Sequence, residues 1–517
     1  MEGNGAKLHV AIGNWMKPGN VSCEFLEAVC WENATEVYGW IHTQLIPKPQ
    51  PNLTSSVSSE KQPDVYIFTI DSMNTGMAKR SLSKFLEYFR SEYDGVEFPF
   101  VNKVGENSKP NGMPWWFGKT IEQGRKVSWE ELEPDWNFTE FCQTYMDNYT
   151  SIFNDFEGEG FMTLMFEDWM NTMTDSWPNC MGFEFAPAHH TFRPFASTYE
   201  LYGTAITKNH LKGHFCREKH HPVLEYLEQS FDAYKDCPIF AWTWLAEISH
   251  SQVDGVARMD DFLVNYFRRN KQKFENSFVI FASDHGLRMG VKHIATELGQ
   301  FERDNPYLNI AIPKNLRDKK YGILESLKAN SRKLQTHFDT RATLLDILKY
   351  QPGAKFMDRE PISIPNEKGN SLIRRQPTFP RTCATLPIPR QYCICQVEKF
   401  QILDETFKLR LGQKLLDHIH DLLEGSNYTS ICRQYELQEV TVLEFGYTKT
   451  WNTYNIEVKT ASSSPAHFQT MMTYDGNNDT ASFEKVVRLD SYGETPDCTA
   501  PIRHDPLCYC KVQPKPK

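Results

Sequence analysis

Asp64-Val65-Tyr66-Ile67-Phe68-Thr69-Ile70-Asp71-Ser72 is an apolar run, rich in β-branched and aromatic residues, that stops at a carboxylate. A run of this length and make-up predicts a strand buried on both faces. Met77 to Tyr93 comes next, with Leu82, Phe85, Leu86 and Phe89 at helical spacing. The pattern recurs along the chain. Phe161–Phe166, Pro238–Trp244 and Ser277–Ala282 read as further strands, and Ala257–Phe274 as a helix. Alternating strands and amphipathic helices predict an α/β domain with a mostly parallel central sheet.

In such a sheet, ligands bind beyond the carboxyl ends of the strands. The residues just past each strand are therefore informative. Asp71-Ser72 stands after the first, Glu167-Asp168 after the second, Glu247-Ile248-Ser249-His250 after the third and Ser283-Asp284-His285-Gly286 after the fourth. Carboxylates and imidazoles gathered on one edge suit one or two divalent metals. Each has a plainer alternative. An Asp after a strand is often the N-cap of the next helix, and a single His such as His250 is often a core or surface residue. It is the combination that points to metal.

Working outward, the chain has 517 residues and a formal net charge of −10. The length implies more than one folded unit. The acidity argues against a nucleic-acid partner. No apolar run approaches the roughly 20 residues of a membrane span. Residues 1–62 read as an N-terminal segment with Cys23 and Cys30 and a Pro/Ser-rich linker, 63–375 as the α/β domain, and 376–517 as a small Cys-rich module with one helix, Asp404–Glu424, and several strands. The cysteines number 13, and seven of them lie after residue 375. Both terminal groups read as disulfide staples, so an oxidising compartment is expected. N-x-[ST] triplets at Asn20, Asn33, Asn52, Asn137, Asn148, Asn427 and Asn478 point the same way, to an extracellular or secretory-lumen glycoprotein. The stretch after Met1 carries no visible signal-peptide core. His189-His190 and His220-His221 are adjacent pairs able to bind metal, but neighbours on a chain rarely share one ion, and His418 and His420 read as solvated.

Asp64 to Met73 and Asn102-Lys103-Val104-Gly105-Glu106-Asn107-Ser108 resemble a sulfatase-like family of unknown function, abundant in nematodes and insects, within the alkaline phosphatase superfamily. His190-Thr191-Phe192-Arg193-Pro194-Phe195, Glu247–His250 and Ser283–Gly290 continue the resemblance in the family's order. It implies a three-layer α/β/α sandwich holding one or two metals, zinc favoured and calcium possible. It implies Ser108 as the nucleophile, in place of the family's commoner Thr. Asp71, Asp284 and His285 would bind one metal, and His250 with Glu247 or His293 a second. His190 and Arg193 would line the substrate pocket. Arg193 or Lys103 could clamp a phosphate or sulfate, although Lys103 reads better as an ordinary surface charge.

Two departures narrow the chemistry. Ser108-Lys109-Pro110-Asn111-Gly112 lacks the Arg of the sulfatase C/S-x-P-x-R motif, which argues against a formylglycine. Ala246 stands where the superfamily's D-x-x-x-H pair has its acid. The resulting expectation is a metal-dependent hydrolase or transferase of phosphate or sulfate esters. Its substrate would be a small anionic ester, glycan or lipid headgroup. The alternative is an inactive extracellular binding module on the same fold.

Overall fold

The structure is a computed structural model. It describes residues 17, 19–51, 61–170, 173, 180–212, 217–250, 252–288, 296–395, 398–446, 452–499 and 505–512. At its centre lies a 7-stranded sheet. In spatial order its strands are Val96–Glu97, Leu308–Ala311, Phe278–Ala282, Val65–Ile70, Ile239–Leu245, Met162–Glu167 and His190–Thr191. The five strands from Phe278–Ala282 to His190–Thr191 run parallel. Leu308–Ala311 pairs antiparallel with both Phe278–Ala282 and Val96–Glu97.

The Val65–Ile70 stretch is the central strand, and all six of its residues are buried. Successive side chains point to opposite faces. Tyr66, Phe68 and Ile70 enter one core with Phe85, Phe89 and Phe267. Val65 and Ile67 enter another with Trp115, Trp116, Trp242 and Trp244. A core on each face gives the expected α/β/α sandwich, and parallel strands covered on both sides read as continuous apolar runs for this reason.

The expected Met77–Tyr93 helix is in fact two, Thr75–Ser81 and Ser83–Tyr93. The carboxylate of Asp260 accepts the backbone N–H groups of Lys84 at 3.1 Å and Phe85 at 2.7 Å. A distant acid therefore satisfies the N-terminus of the second helix, which lacks a side-chain cap of its own. The Ala257–Phe274 run likewise divides, at Asn270, into Asp260–Arg269 and Lys271–Phe274.

The C-terminal module packs the helix Glu405–Gly425 on a 6-stranded sheet. Leu411, Leu415, Leu416 and Ile419 meet Val442, Ile456, Val458 and Phe468 in its core. Disulfides Cys432–Cys508 and Cys498–Cys510 close it. The segment before it leans on the α/β domain instead, with Cys383, Leu386, Ile388 and Ile394 packed against Val104, Leu334 and Phe338. His418 and His420 are half-buried rather than solvated. One stacks on Phe483 and the other accepts the Tyr435 N–H at 2.9 Å.

The N-terminal staple is absent. Cys23 and Cys30 are both unbridged and exposed. Cys30 lies on the strand Phe25–Glu32, and the five steps from Phe25 to Cys30 alone span roughly 16 Å when extended. That exceeds the reach of a disulfide. Cys142–Cys180 and Cys383–Cys393 are the remaining described bridges. Six sequon asparagines, Asn20, Asn33, Asn137, Asn148, Asn427 and Asn478, are exposed, and Asn52 lies outside the described residues. No described helix is long and apolar enough to cross a membrane.

Candidate metal centre and nucleophile

Asp71 ends the central strand but caps nothing. The next helix is capped by Asn74, whose side chain accepts the Met77 N–H. Asp71 is fully buried and faces the nucleophile candidate instead. Ser108 opens the helix Ser108–Trp116, and its Oγ donates to Asp71 Oδ2 at 3.0 Å. The same oxygen receives the Trp244 indole N–H at 3.2 Å, while Oδ1 receives the Ser72 hydroxyl at 2.6 Å. Burial raises the Asp71 pKa, but the imidazoles of His250 and His285 and the Ser72 and Trp244 hydrogen bonds outweigh it. Its carboxyl stays below the usual range.

Asp284 and His285 lie just past the neighbouring strand and are fully buried. Ser72, with φ 56°, turns the backbone so that its N–H donates to Asp284 Oδ1 at 3.0 Å. Gly286 is dictated by close approach, since a Cβ there would lie 2.0 Å from the Glu302 carbonyl oxygen. His285 Nδ1 lies 2.8 Å from the Gly286 carbonyl. A carbonyl only accepts, so Nδ1 carries the proton and Nε2 is left with a lone pair. Burial holds the imidazole well below its ordinary pKa, so it is neutral.

That lone pair points into a cluster of acceptors. Nε2 lies 3.1 Å from Asp284 Oδ2 and 3.4 Å from Ser108 Oγ. The 3.1 Å contact is no salt bridge, because the imidazole is neutral and meets the Asp284 oxygen with its lone pair, which a proton on that carboxyl or a cation can fill. Asp284 Oδ2 is buried and has no hydrogen-bond donor. Burial and the neighbouring Asp71 charge push the Asp284 pKa up to about 8. Ligand atoms of Asp71, Asp284 and His285 lie within 4.8 Å of one another. Two carboxylates and one imidazole lone pair, with an orphaned oxygen, fit a divalent cation.

The other expected ligands do not join this group among the described residues. His250 lies close enough to act on the Asp71 charge, with its ring 4.6 Å from Trp169. The carboxylate of Glu247 is held by Lys219 at 3.1 Å. His293 lies outside the described residues. Asp168 Oδ1 accepts the backbone N–H of Ala246 at 2.7 Å. His190 is fully buried, with Nδ1 2.9 Å from Glu24 and Nε2 2.6 Å from the Tyr234 hydroxyl. These contacts tie the residue before the strand Phe25–Glu32 to the α/β domain. Arg193 begins a short helix beside it and is buried.

Lys103 is not a surface charge. It is fully buried, 3.0 Å from Asp304 and 3.5 Å from Glu106, with the Tyr392 ring 4.5 Å away. Arg288 approaches Glu106 from the other side at 3.4 Å. This network secures the loop two residues before the nucleophile. Val101 and Val104 on either side of Asn102-Lys103 were the available signal, because nearby apolar residues accompany burial. Burial raises the Glu106 pKa, but Lys103, Arg288 and Arg303 outweigh it and hold the carboxyl at about 2. The lowered value means Glu106 stabilises the fold above the ordinary carboxylate pKa and loses that contribution as pH falls toward 2. Glu106→Gln is therefore expected to cost about 3 kcal/mol at pH 7. In urea denaturation the gap to wild type should narrow below pH 4.5.

A family model described as "Protein of unknown function (DUF229)" matches residues 12–441. No curated protein matches the sequence. Among solved structures, a protein in the alkaline phosphatase superfamily from Vibrio parahaemolyticus aligns with TM-score 0.36 and 12% identity, covering 85% of each chain. A structure described as a 2-O GAG sulfatase aligns with TM-score 0.37 and 13% identity, covering 82% of this chain and 85% of that one. The C-terminal periplasmic domain of EcEptC from Escherichia coli gives TM-score 0.37 and 11% identity over 59% and 86%. Likeness at this level says nothing of activity.

Proposed function

Since the chain belongs to the DUF229 family of proteins of unknown function, we propose that it is a metal-dependent hydrolase or transferase of phosphate or sulfate esters acting through Ser108. One observation carries this reading. The Ser108 hydroxyl lies 3.0 Å from Asp71 Oδ2, beside a buried Asp284 oxygen that no donor satisfies. Asp71, Asp284 and His285 would hold the cation, and the imidazole nitrogen favours zinc over calcium. A bound divalent ion supplies Lewis acidity, lowering the pKa of a nearby hydroxyl and offsetting charge on ester oxygens.

The chain's own groups do the rest. Asp71 is fixed by Ser72 and Trp244 and orients Ser108 Oγ through an accepted hydrogen bond. The helix behind Ser108 directs its positive end toward an anionic ester, and Asn107 leaves that end without a side-chain cap. Arg288 adds positive charge beside His285. The substrate is a small anionic ester, carried on a glycan or lipid headgroup, with Arg193 as a further contact. Four disulfides and six exposed sequon asparagines support an oxidising, extracellular or lumenal compartment. Reading the chain as an inactive binding module leaves the convergence of Ser108 on the acids unexplained.

The test is metal content of the purified protein together with rates on aryl phosphate, phosphodiester and aryl sulfate. A stoichiometric divalent cation and a rate abolished by chelator and restored by zinc are expected. No bound cation, and no rate above buffer on any of the three, would refute the reading.

A further inference from the structure

Three sulfurs meet where the segment after Arg381 lies against the strand Val101–Asn102. Cys383 and Cys393 are bridged. The exposed thiol of Cys395 lies 3.7 Å from Cys383 Sγ. All three sulfurs lie within 4.8 Å of one another.

Ile394 is the pivot of this arrangement. It is buried, and its N–H donates to Asn102 Oδ1 at 2.9 Å. Cys383 Sγ lies 3.9 Å from that same oxygen. The Asn102 amide also donates to the Tyr392 carbonyl at 2.7 Å. One pinned residue therefore carries a cysteine on either side, both within reach of a third. The closed loops are nearly equal, with sequence separations of 10 for Cys383–Cys393 and 12 for Cys383 and Cys395. Neither loop is long enough or short enough to set its pairing apart, and the sulfur positions leave both within reach of Cys383. Cys393 and Cys395 also line a cleft of about 890 Å³ between the α/β domain and the C-terminal module, so the unbridged sulfur is accessible.

We propose that Cys383, Cys393 and Cys395 form a thiol–disulfide exchange site in which Cys383 is bridged to either neighbour and the third sulfur is presented as a thiol in the cleft. Cys395 gives its proton to solvent and its thiolate attacks Cys383 Sγ. The Cys383–Cys395 bond forms as the Cys383–Cys393 bond breaks. The electron pair leaves on Cys393, which takes a proton from solvent. One disulfide and one thiol are present before and after, so no oxidant is consumed. The ligand class is any small thiol-reactive molecule that enters the cleft, N-ethylmaleimide being the probe. The site is independent of the ester chemistry proposed above.

The test is alkylation of the intact, unreduced protein with N-ethylmaleimide at mildly alkaline pH, then acid quenching and fragmentation of the peptide carrying both cysteines. Label on Cys393 as well as Cys395 is expected, because both sulfurs lie within reach of Cys383. Cys393→Ser should hold a Cys383–Cys395 bridge, and Cys395→Ser should keep Cys383–Cys393. Label on Cys395 alone in the wild-type protein overturns the proposal whatever the variants show. So does a bridge from Cys395 to a cysteine outside this trio.

Discussion

Replacing Ser108 by alanine is expected to lower kcat on the best aryl ester by roughly 10³-fold or more, the loss typical when a nucleophile is removed. The fold should be untouched. Ser108 is half-exposed at a helix start, where alanine is sterically tolerated, and the helix draws its stability from Trp115, Trp116 and Met113 in the core. The loss should fall on kcat rather than KM, because the hydroxyl contributes bonding only as the ester is attacked. Bound metal should be retained, since Asp71, Asp284 and His285 remain. A Ser108→Ala protein that keeps wild-type turnover would move the nucleophile elsewhere. Steady-state rates with metal analysis of the same sample separate these outcomes.

Asp284→Asn is expected to give the second largest effect, in opposite directions with and without metal. Without a cation, the buried Asp284 carboxyl is raised to about 8 by desolvation and by Asp71. A raised carboxylate pKa means the charged form opposes folding. Stability is therefore intact below the ordinary carboxylate pKa and is lost as pH rises toward 8. The amide carries no charge, so the metal-free variant should overtake metal-free wild type across that window, by roughly 3–5 kcal/mol at the alkaline end. With zinc present the order reverses. Wild type gains stability with each tenfold rise in free cation, and the variant, missing one of its ligands, does not. Melting curves at acid and alkaline pH, with chelator or zinc, read both halves. A variant that zinc stabilises as strongly as wild type would remove Asp284 from the ligand set.

The parts of this molecule that could be read from the sequence are those set by local pattern. The buried strand Val65–Ile70 and its parallel neighbours are continuous apolar runs, and their terminal Asp and His residues fall at the sheet edge because the topology puts every parallel carboxyl end there. The features that escaped depend on contacts between distant segments. Asp260 splits a helix 175 residues away by capping Phe85. Trp244 falls in an apolar strand run, yet its indole N–H fixes Asp71. Lys103 is a charge whose partners, Asp304 and Glu106, emerge only on folding. Cys23 and Cys30 look paired in a count of cysteines and are kept apart by an extended strand. His190 matches a family motif, but Glu24 and Tyr234 take both of its nitrogens.

Whether Ser108 becomes covalently attached to the transferred group is the most direct question. The measurement is rapid mixing with an activated aryl phosphate or sulfate, acid quenching, and mass spectrometry of the peptide holding Ser108. A phosphoryl or sulfuryl group on Ser108, present in wild type and in the presence of zinc and absent from Ser108→Ala, is the expected result. Product release with Ser108 unmodified at every quench time, or modification at a different residue, would contradict the account.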